Sequence, residues 1–277
     1  MQKKIKIRDD LYIGGGAPFV LISGPCVIES RDNVFLIAET LKKLSSELGI
    51  GFIFKASFLK DNRSSPENYM GPGIKEGLKI LREVKESLDI PVLSDIHSVD
   101  QVEPAAEVLD VLQIPAFLSQ QTSLLFAAGK TGKPINIKKS QFIPPEDVKN
   151  SISKVEYVGN KNIIVTERGT FFGYHRLIVD MRSFPIIRKT GYPVIFDITH
   201  SVRVYGIPSK DPRGGEREFI EPLGRAGVAT GVNGVFIETH PEPSKALSDA
   251  ASMYPLDKMK SFLIQLLRIH NLVKEYV

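Results

Sequence analysis

The chain reads as an α/β protein, a closed (β/α)8 barrel of the TIM type, and three observations predict it. Eight short apolar runs rich in β-branched residues recur along the sequence without polar/apolar alternation, as strands buried on both faces do. Amphipathic helical stripes lie between them. A polar or ionisable residue stands at or just past the end of each strand, as the functional face of such a barrel requires. A doubly wound open sheet is the structural runner-up.

In chain order, KIKI (4–7) and LYIGGG (11–16) suggest an N-terminal hairpin closing the barrel bottom. The strands read as PFVLISG (18–24), GFIFKAS (51–57), IPVLSDI (90–96), DVLQIPA (110–116), PINIKK (134–139), NIIVTERG (162–169), PVIFDIT (193–199) and GVFIETH (234–240). Ser30 or Asp32 caps a helix striped by Val34, Ile37, Leu41, Leu44 and Leu48, with Gly49 suited to its C-terminal end. Ile74, Leu78, Leu81, Val84 and Leu88 form a second stripe after Gly73, and Met259, Phe262, Leu263, Leu266 and Val273 a last one. Two strand-to-helix connections look long: Phe58 to about Gly73, and Ser201 to about Glu216, the latter with Pro208, Pro212, Gly214 and Gly215. Long connections without regular structure point to functional lids or mobile segments. No repeat or linker interrupts the pattern, so residues 1–277 read as one domain.

Composition narrows the function class. The 277 residues are 42% hydrophobic and 25% charged, ordinary for a soluble globular chain. A net charge of +4 is too small to call for nucleic acid or membrane. The single cysteine, Cys26, excludes an internal disulfide and suits a reducing cytoplasm. The N-terminus lacks the apolar stretch of a signal peptide, and no apolar run approaches the roughly 18 residues of a membrane span.

The strand ends deliver Cys26, Lys55 and Ser57, Asp95, Gln113, Lys138, Arg168, His200 and Glu238 to one face. Lys55, Lys60, Arg63, Lys138 and Arg168 are cations that call for a polyanion, and two phosphorylated substrates would use all five. The plain alternative is that such side chains are solvated surface charges; it is weakest for Lys138 and Arg168, which end apolar strands. Cys26, His200, Glu238 and Asp249 supply S, N, O and O donors, a mixture that suits zinc, iron or manganese. Their spacing is no compact metal motif: a lone cysteine is commonly a small buried hydrophobe, and a histidine a hydrogen-bonding support. Gly129-Lys130-Thr131 is not a phosphate loop, because Leu124 stands where that motif needs glycine and the segment follows a helix instead of a strand.

At these residues the sequence closely resembles the 3-deoxy-D-manno-octulosonate 8-phosphate synthases. The matching segments are GPCVIES (24–30), FKASF (54–58), NRSS (62–65), QIPAF (113–117), KKSQF (138–142), TERGTFFGY (166–174), FDITH (196–200) and FIETHPEPSKALSDA (236–250). They span nearly the whole chain and are highly specific together, although GPC alone would be weak. The resemblance implies a barrel that condenses phosphoenolpyruvate with arabinose 5-phosphate, releases inorganic phosphate and assembles as a homotetramer. The family has metal-dependent members with cysteine where others carry asparagine, and Cys26 aligns this chain with the former. It implies Cys26, His200, Glu238 and Asp249 as metal ligands, and Cys26, Lys60, Lys138 and His200 as the catalytic set. Lys55, Ser57, Lys60, Gln113, Ala116, Lys138 and Arg168 would meet phosphoenolpyruvate. Asn62, Arg63, Ser64 and Asp95 would meet the sugar phosphate, with Phe117 reaching a neighbouring subunit's site. Asp61 departs from the small residue usual in its loop: facing the pocket it would weaken sugar-phosphate binding, facing solvent it would matter little. The 201–216 loop also differs, so no roles carry over there.

Three other readings compete. The related synthase that uses erythrose 4-phosphate shares the cysteine motif, but its loop resembles Lys-Pro-Arg-Thr, whereas this chain has Lys60-Asp61-Asn62-Arg63-Ser64-Ser65. A metal-dependent barrel hydrolase would leave the five cations without work. A non-catalytic phosphate-binding barrel would need a structural metal at an open strand-end position.

Overall fold

A computed structural model describes residues 2–63, 65, 67–171, 175–208 and 211–276. All eight expected runs are strands: β3 (Val20–Gly24), β4 (Gly51–Lys55), β5 (Val92–Asp95), β6 (Val111–Ile114), β7 (Ile135–Lys138), β8 (Ile163–Glu167), β9 (Val194–Asp197) and β10 (Gly234–His240). Each pairs in parallel with the next, and β10 pairs both β9 and β3, which closes the cylinder. The open-sheet alternative is thereby excluded. Nearly every strand residue is buried, because side chains pointing inward fill the barrel while those pointing outward pack under helices.

The helices are α1 (Arg31–Leu48), α2 (Ile74–Leu88), α3 (Val102–Val108), α4 (Thr122–Lys130), α5 (Val148–Tyr157), α6 (Ser183–Arg188), α7 (Ile198–Ser201), α8 (Ile220–Ala229) and α9 (Met259–Val273). Ser30, not Asp32, caps α1: its Oγ accepts from Asn33 N at 3.2 Å, and Gly49 ends the helix in the left-handed region with φ 63°. The α9 stripe is buried at Met259, Phe262, Leu263 and Leu266, while Val273 lies only partly covered near the end. Gly129 and Lys130 close the end of α4, far from the geometry of a phosphate loop.

The N-terminal hairpin is present as β1 (Ile5–Arg8) and β2 (Leu11–Ile13), antiparallel, with Ile5, Ile7 and Ile13 buried. Lys3 N donates to Gly191 O at 2.7 Å, and Gln2 Nε2 to Asn233 Oδ1 at 2.8 Å. Both acceptors precede barrel strands, so the hairpin covers the end opposite the strand C-termini. One strand was not expected: β11 (Tyr254–Pro255) runs parallel to the C-terminal end of β10 and pins the segment that follows it. The base of the 201–216 connection, expected without regular structure, carries isolated bridges. Arg203 bridges Gly215 and Val204 bridges Arg176, so its base is tied down.

Candidate active site at the C-terminal mouth

The turn after β3 sets the geometry of the mouth. A Cβ on Gly24 would stand 2.1 Å from Lys55 O, so only glycine lets the ends of β3 and β4 approach this closely. Pro25 and Cys26 follow, and Cys26 is fully buried. A cavity of about 300 Å³ opens at this end, lined by residues from every quarter of the barrel. Of the residues singled out from sequence, Lys55, Lys60, Asn62, Arg63, Asp95, Gln113, Ala116, Phe117, Lys138, Arg168, His200 and Asp249 line it. Cys26, Ser57 and Glu238 sit one contact behind, against Asp249, Asp95 and Lys55 respectively. Ser64 lies outside the described residues. Asp61 is exposed and does not line the cavity, so its charge faces solvent.

The cations are held in pairs. Lys55 Nζ donates to Glu238 Oε1 at 2.6 Å and to Cys26 O at 2.8 Å. Lys60 Nζ lies 3.4 Å from Asp95 Oδ2, which also faces His97 Nε2 at 3.4 Å. Lys138 pairs with Asp197 and lies 3.4 Å over the centre of the Phe236 ring. Two guanidiniums differ. Arg168 donates to Tyr205 OH and to His200 O, and Arg63 to Ser248 Oγ; neither has a carboxylate at ion-pair distance among the described residues. Arg63 Nε and Nη2 are buried with no hydrogen-bond partner among the described residues.

Charge and burial oppose each other here. Burial alone would raise Asp197, but His200, Lys138 and Arg168 overcome it and hold the carboxyl far below its usual range. Burial pushes Lys138 down to about 8 against the opposing pull of Asp197. His200 would fall on burial, yet Asp197 and Glu238 carry it above the ordinary imidazole value. Burial drives the Cys26 thiol far up, and Asp249 and Glu238 add to that.

Sγ of Cys26 and a carboxylate oxygen each of Glu238 and Asp249 lie within 4.8 Å of one another. His200 Nε2 joins them, 3.4 Å from Glu238 Oε2 and 3.5 Å from Asp249 Oδ2. Among the described residues Cys26, Glu238 and Asp249 therefore form a candidate site for a divalent metal, three of the four expected donors, and His200 Nε2 stands beside its two carboxylates. The donor set fits: one soft sulfur, one imidazole and two carboxylates suit a borderline first-row ion. The same negative charges that oppose an isolated thiolate favour a divalent cation between them. His200 Nδ1 lies 2.8 Å from Asp197 Oδ2, which orients the ring so that Nε2 faces the cluster.

Sequence reasoning missed Asp197, Arg203, Tyr205 and Ser248. Asp197 carries a signal, because it ends β9 three residues before His200. Arg203 reaches Asp249 Oδ1 at 3.2 Å from the loop to which no roles were carried. Ser248 is an uncharged loop residue with no periodicity to mark it. His240, at the end of β10, contacts Glu29 at 3.3 Å and lines the back of this region, not the cavity.

The profile of the DAHP synthetase I family matches residues 2–275. The 2-dehydro-3-deoxyphosphooctonate aldolase of Citrifermentans bemidjiense is 56% identical over 263 residues, covering 95% of this chain and 96% of its own. Proteins of the same name from Geotalea daltonii and Trichlorobacter lovleyi are each 53% identical over 274 residues, covering 99% of this chain and all of theirs.

Proposed function

The chain belongs to the DAHP synthetase I family, and from that premise we propose that its barrel mouth condenses phosphoenolpyruvate with D-arabinose 5-phosphate and water, giving 3-deoxy-D-manno-octulosonate 8-phosphate and inorganic phosphate. The relatives' octonate name favours this reaction over the erythrose 4-phosphate one. The observation that carries the site assignment is the pair of guanidiniums of Arg168, which is buried, and Arg63, which is partly buried, that line the cavity without a carboxylate partner among the described residues. Two such groups suit two phosphorylated ligands, where a hydrolase would need one.

Arg168, with Lys138 beside it, takes the carboxylate and phosphate of phosphoenolpyruvate, assisted by Lys55, Ser57, Lys60, Gln113 and the Ala116 backbone. Arg63, Asn62, Ser64 and Asp95 take the sugar phosphate. Holding both in contact converts a bimolecular encounter into an oriented attack. C3 of the enol phosphate bonds to the aldehyde carbon, whose oxygen gains a proton. Water adds at C2, and the C2–O bond then breaks to release phosphate. Lys60, which bridges Asp95 and the cavity, is placed to supply or hold the proton at the aldehyde oxygen. Cys26, His200, Glu238 and Asp249 would hold a divalent metal, which when bound supplies Lewis acidity toward an oxygen ligand. The catalytic set is thus Cys26, Lys60, Lys138 and His200.

We read residues 1–277 as one synthase domain that assembles as a homotetramer, with the half-exposed Phe117 reaching a neighbouring copy. No described helix is long and apolar enough to cross a membrane. Mixing the protein with phosphoenolpyruvate and either arabinose 5-phosphate or erythrose 4-phosphate tests the reaction. Phosphate release with an eight-carbon product from the pentose is expected. A seven-carbon product in preference, or phosphate release without any aldose, would overturn the reading.

A further inference from the structure

Ser248 is fully buried, and its hydroxyl stands between two groups of the site. Arg63 Nη1 lies 2.6 Å from its Oγ, and Cys26 Sγ lies 3.0 Å away on the other side. The capacities of the three groups set the direction of these bonds. A guanidinium has donors only, so Ser248 Oγ accepts from Arg63. The thiol's own hydrogen has an acceptor in Asp249 Oδ2 at 3.5 Å. The single hydroxyl hydrogen of Ser248 therefore goes to the sulfur.

We propose that Ser248 is a positioning residue that donates a hydrogen bond to the Cys26 sulfur and links it to Arg63 on the connection between β4 and α2. The inference rests on the metal-binding reading of Cys26, His200, Glu238 and Asp249. A ligand sulfur that accepts a hydrogen bond is fixed in direction and gives up part of its charge density to the donor. Arg63, on the far side of Oγ, polarises that O–H bond further. The Nε and Nη2 edge of Arg63 remains unpartnered among the described residues, and it is the edge that grips a phosphate side-on. One guanidinium thus meets the sugar phosphate on one edge and, through a single hydroxyl, the metal-binding sulfur on the other.

Titration with Co²⁺ against a competing chelator tests this, read by the sulfur-to-cobalt charge-transfer absorption. Ser248→Ala is expected to weaken Co²⁺ binding about 10–100-fold and to move the band to longer wavelength, because the sulfur loses a stabilising donor. Arg63→Met, which leaves the hydroxyl in place, should move the band the same way by less. If the wild type binds Co²⁺ with no such band, the metal reading itself fails. If it shows the band but Ser248→Ala matches it in affinity and wavelength, only the role given to Ser248 is overturned. An Arg63→Met band identical to wild type would remove Arg63 from the link.

Discussion

Replacing Lys55 with methionine in metal-free protein isolates the electrostatics of the mouth. Lys55 and Glu238 are both almost wholly buried and 2.6 Å apart. Removing one partner of a buried pair costs about 3–5 kcal/mol, because the other charge is left uncompensated. Two contacts soften the loss here: Glu238 keeps His200 Nε2 at 3.4 Å, and Cys26 O keeps the backbone N–H of Ser57 at 3.3 Å. The expected cost is therefore about 3 kcal/mol, or roughly 6 °C in melting temperature for a chain of this size. The deficit should also depend on pH. Without Lys55 the Glu238 carboxyl rises, so the folded state keeps a proton that the unfolded chain has lost. Once the pH drops below that raised pKa, the penalty shrinks by about 1.4 kcal/mol per pH unit. Urea denaturation in chelator at pH 8 and pH 5, on Lys55→Met and on Lys55→Met/Glu238→Leu, reads both effects. The double variant should recover most of the loss, since it removes the stranded charge as well. A single variant within 1 kcal/mol of wild type, or a double variant no more stable than the single, would refute the reasoning.

Asp197 is held far below the usual carboxylate range, so the stability it contributes is complete above about pH 4 and drains as pH falls toward its folded value. Asp197→Asn should flatten the acid limb of a stability–pH curve, and an unchanged slope would contradict the assignment. Gly24→Ala places a methyl 2.1 Å from Lys55 O, against backbone that cannot swing away. A loss of about 1–3 kcal/mol with impaired turnover is expected, checked by denaturation and phosphate release. Cys26→Ala, and wild type stripped by chelation, should lose most activity, with added metal restoring only the wild type. Full turnover after exhaustive chelation would sink the metal dependence.

The barrel was legible because its strands are buried on both faces. That requirement forces runs such as VLISG and FIFK to be apolar without alternation, and eight of them alternating with helical stripes suit a parallel barrel, while closure itself shows only in the pairing of β10 with both β9 and β3. The strand-end rule then located Lys138, Arg168 and Glu238 without knowledge of contacts. What stayed hidden depends on tertiary approach. Ser248 looks like any loop serine until the 241–255 segment folds back and sets its hydroxyl on Cys26. Arg203 is brought to Asp249 by a loop whose course no local pattern encodes. Asp197 was visible in FDITH, but that an aspartate should orient the histidine three residues on follows only once α7 turns His200 back toward it.

The cylinder is sealed where its first and last strands, β3 and β10, lie side by side. Cys26 leaves the former and Glu238 belongs to the latter, so an ion gripped by both would rivet that seam. Arming the mouth and fastening the staves would then be a single event, and stripping the ion would slacken the joint as well as silence the chemistry.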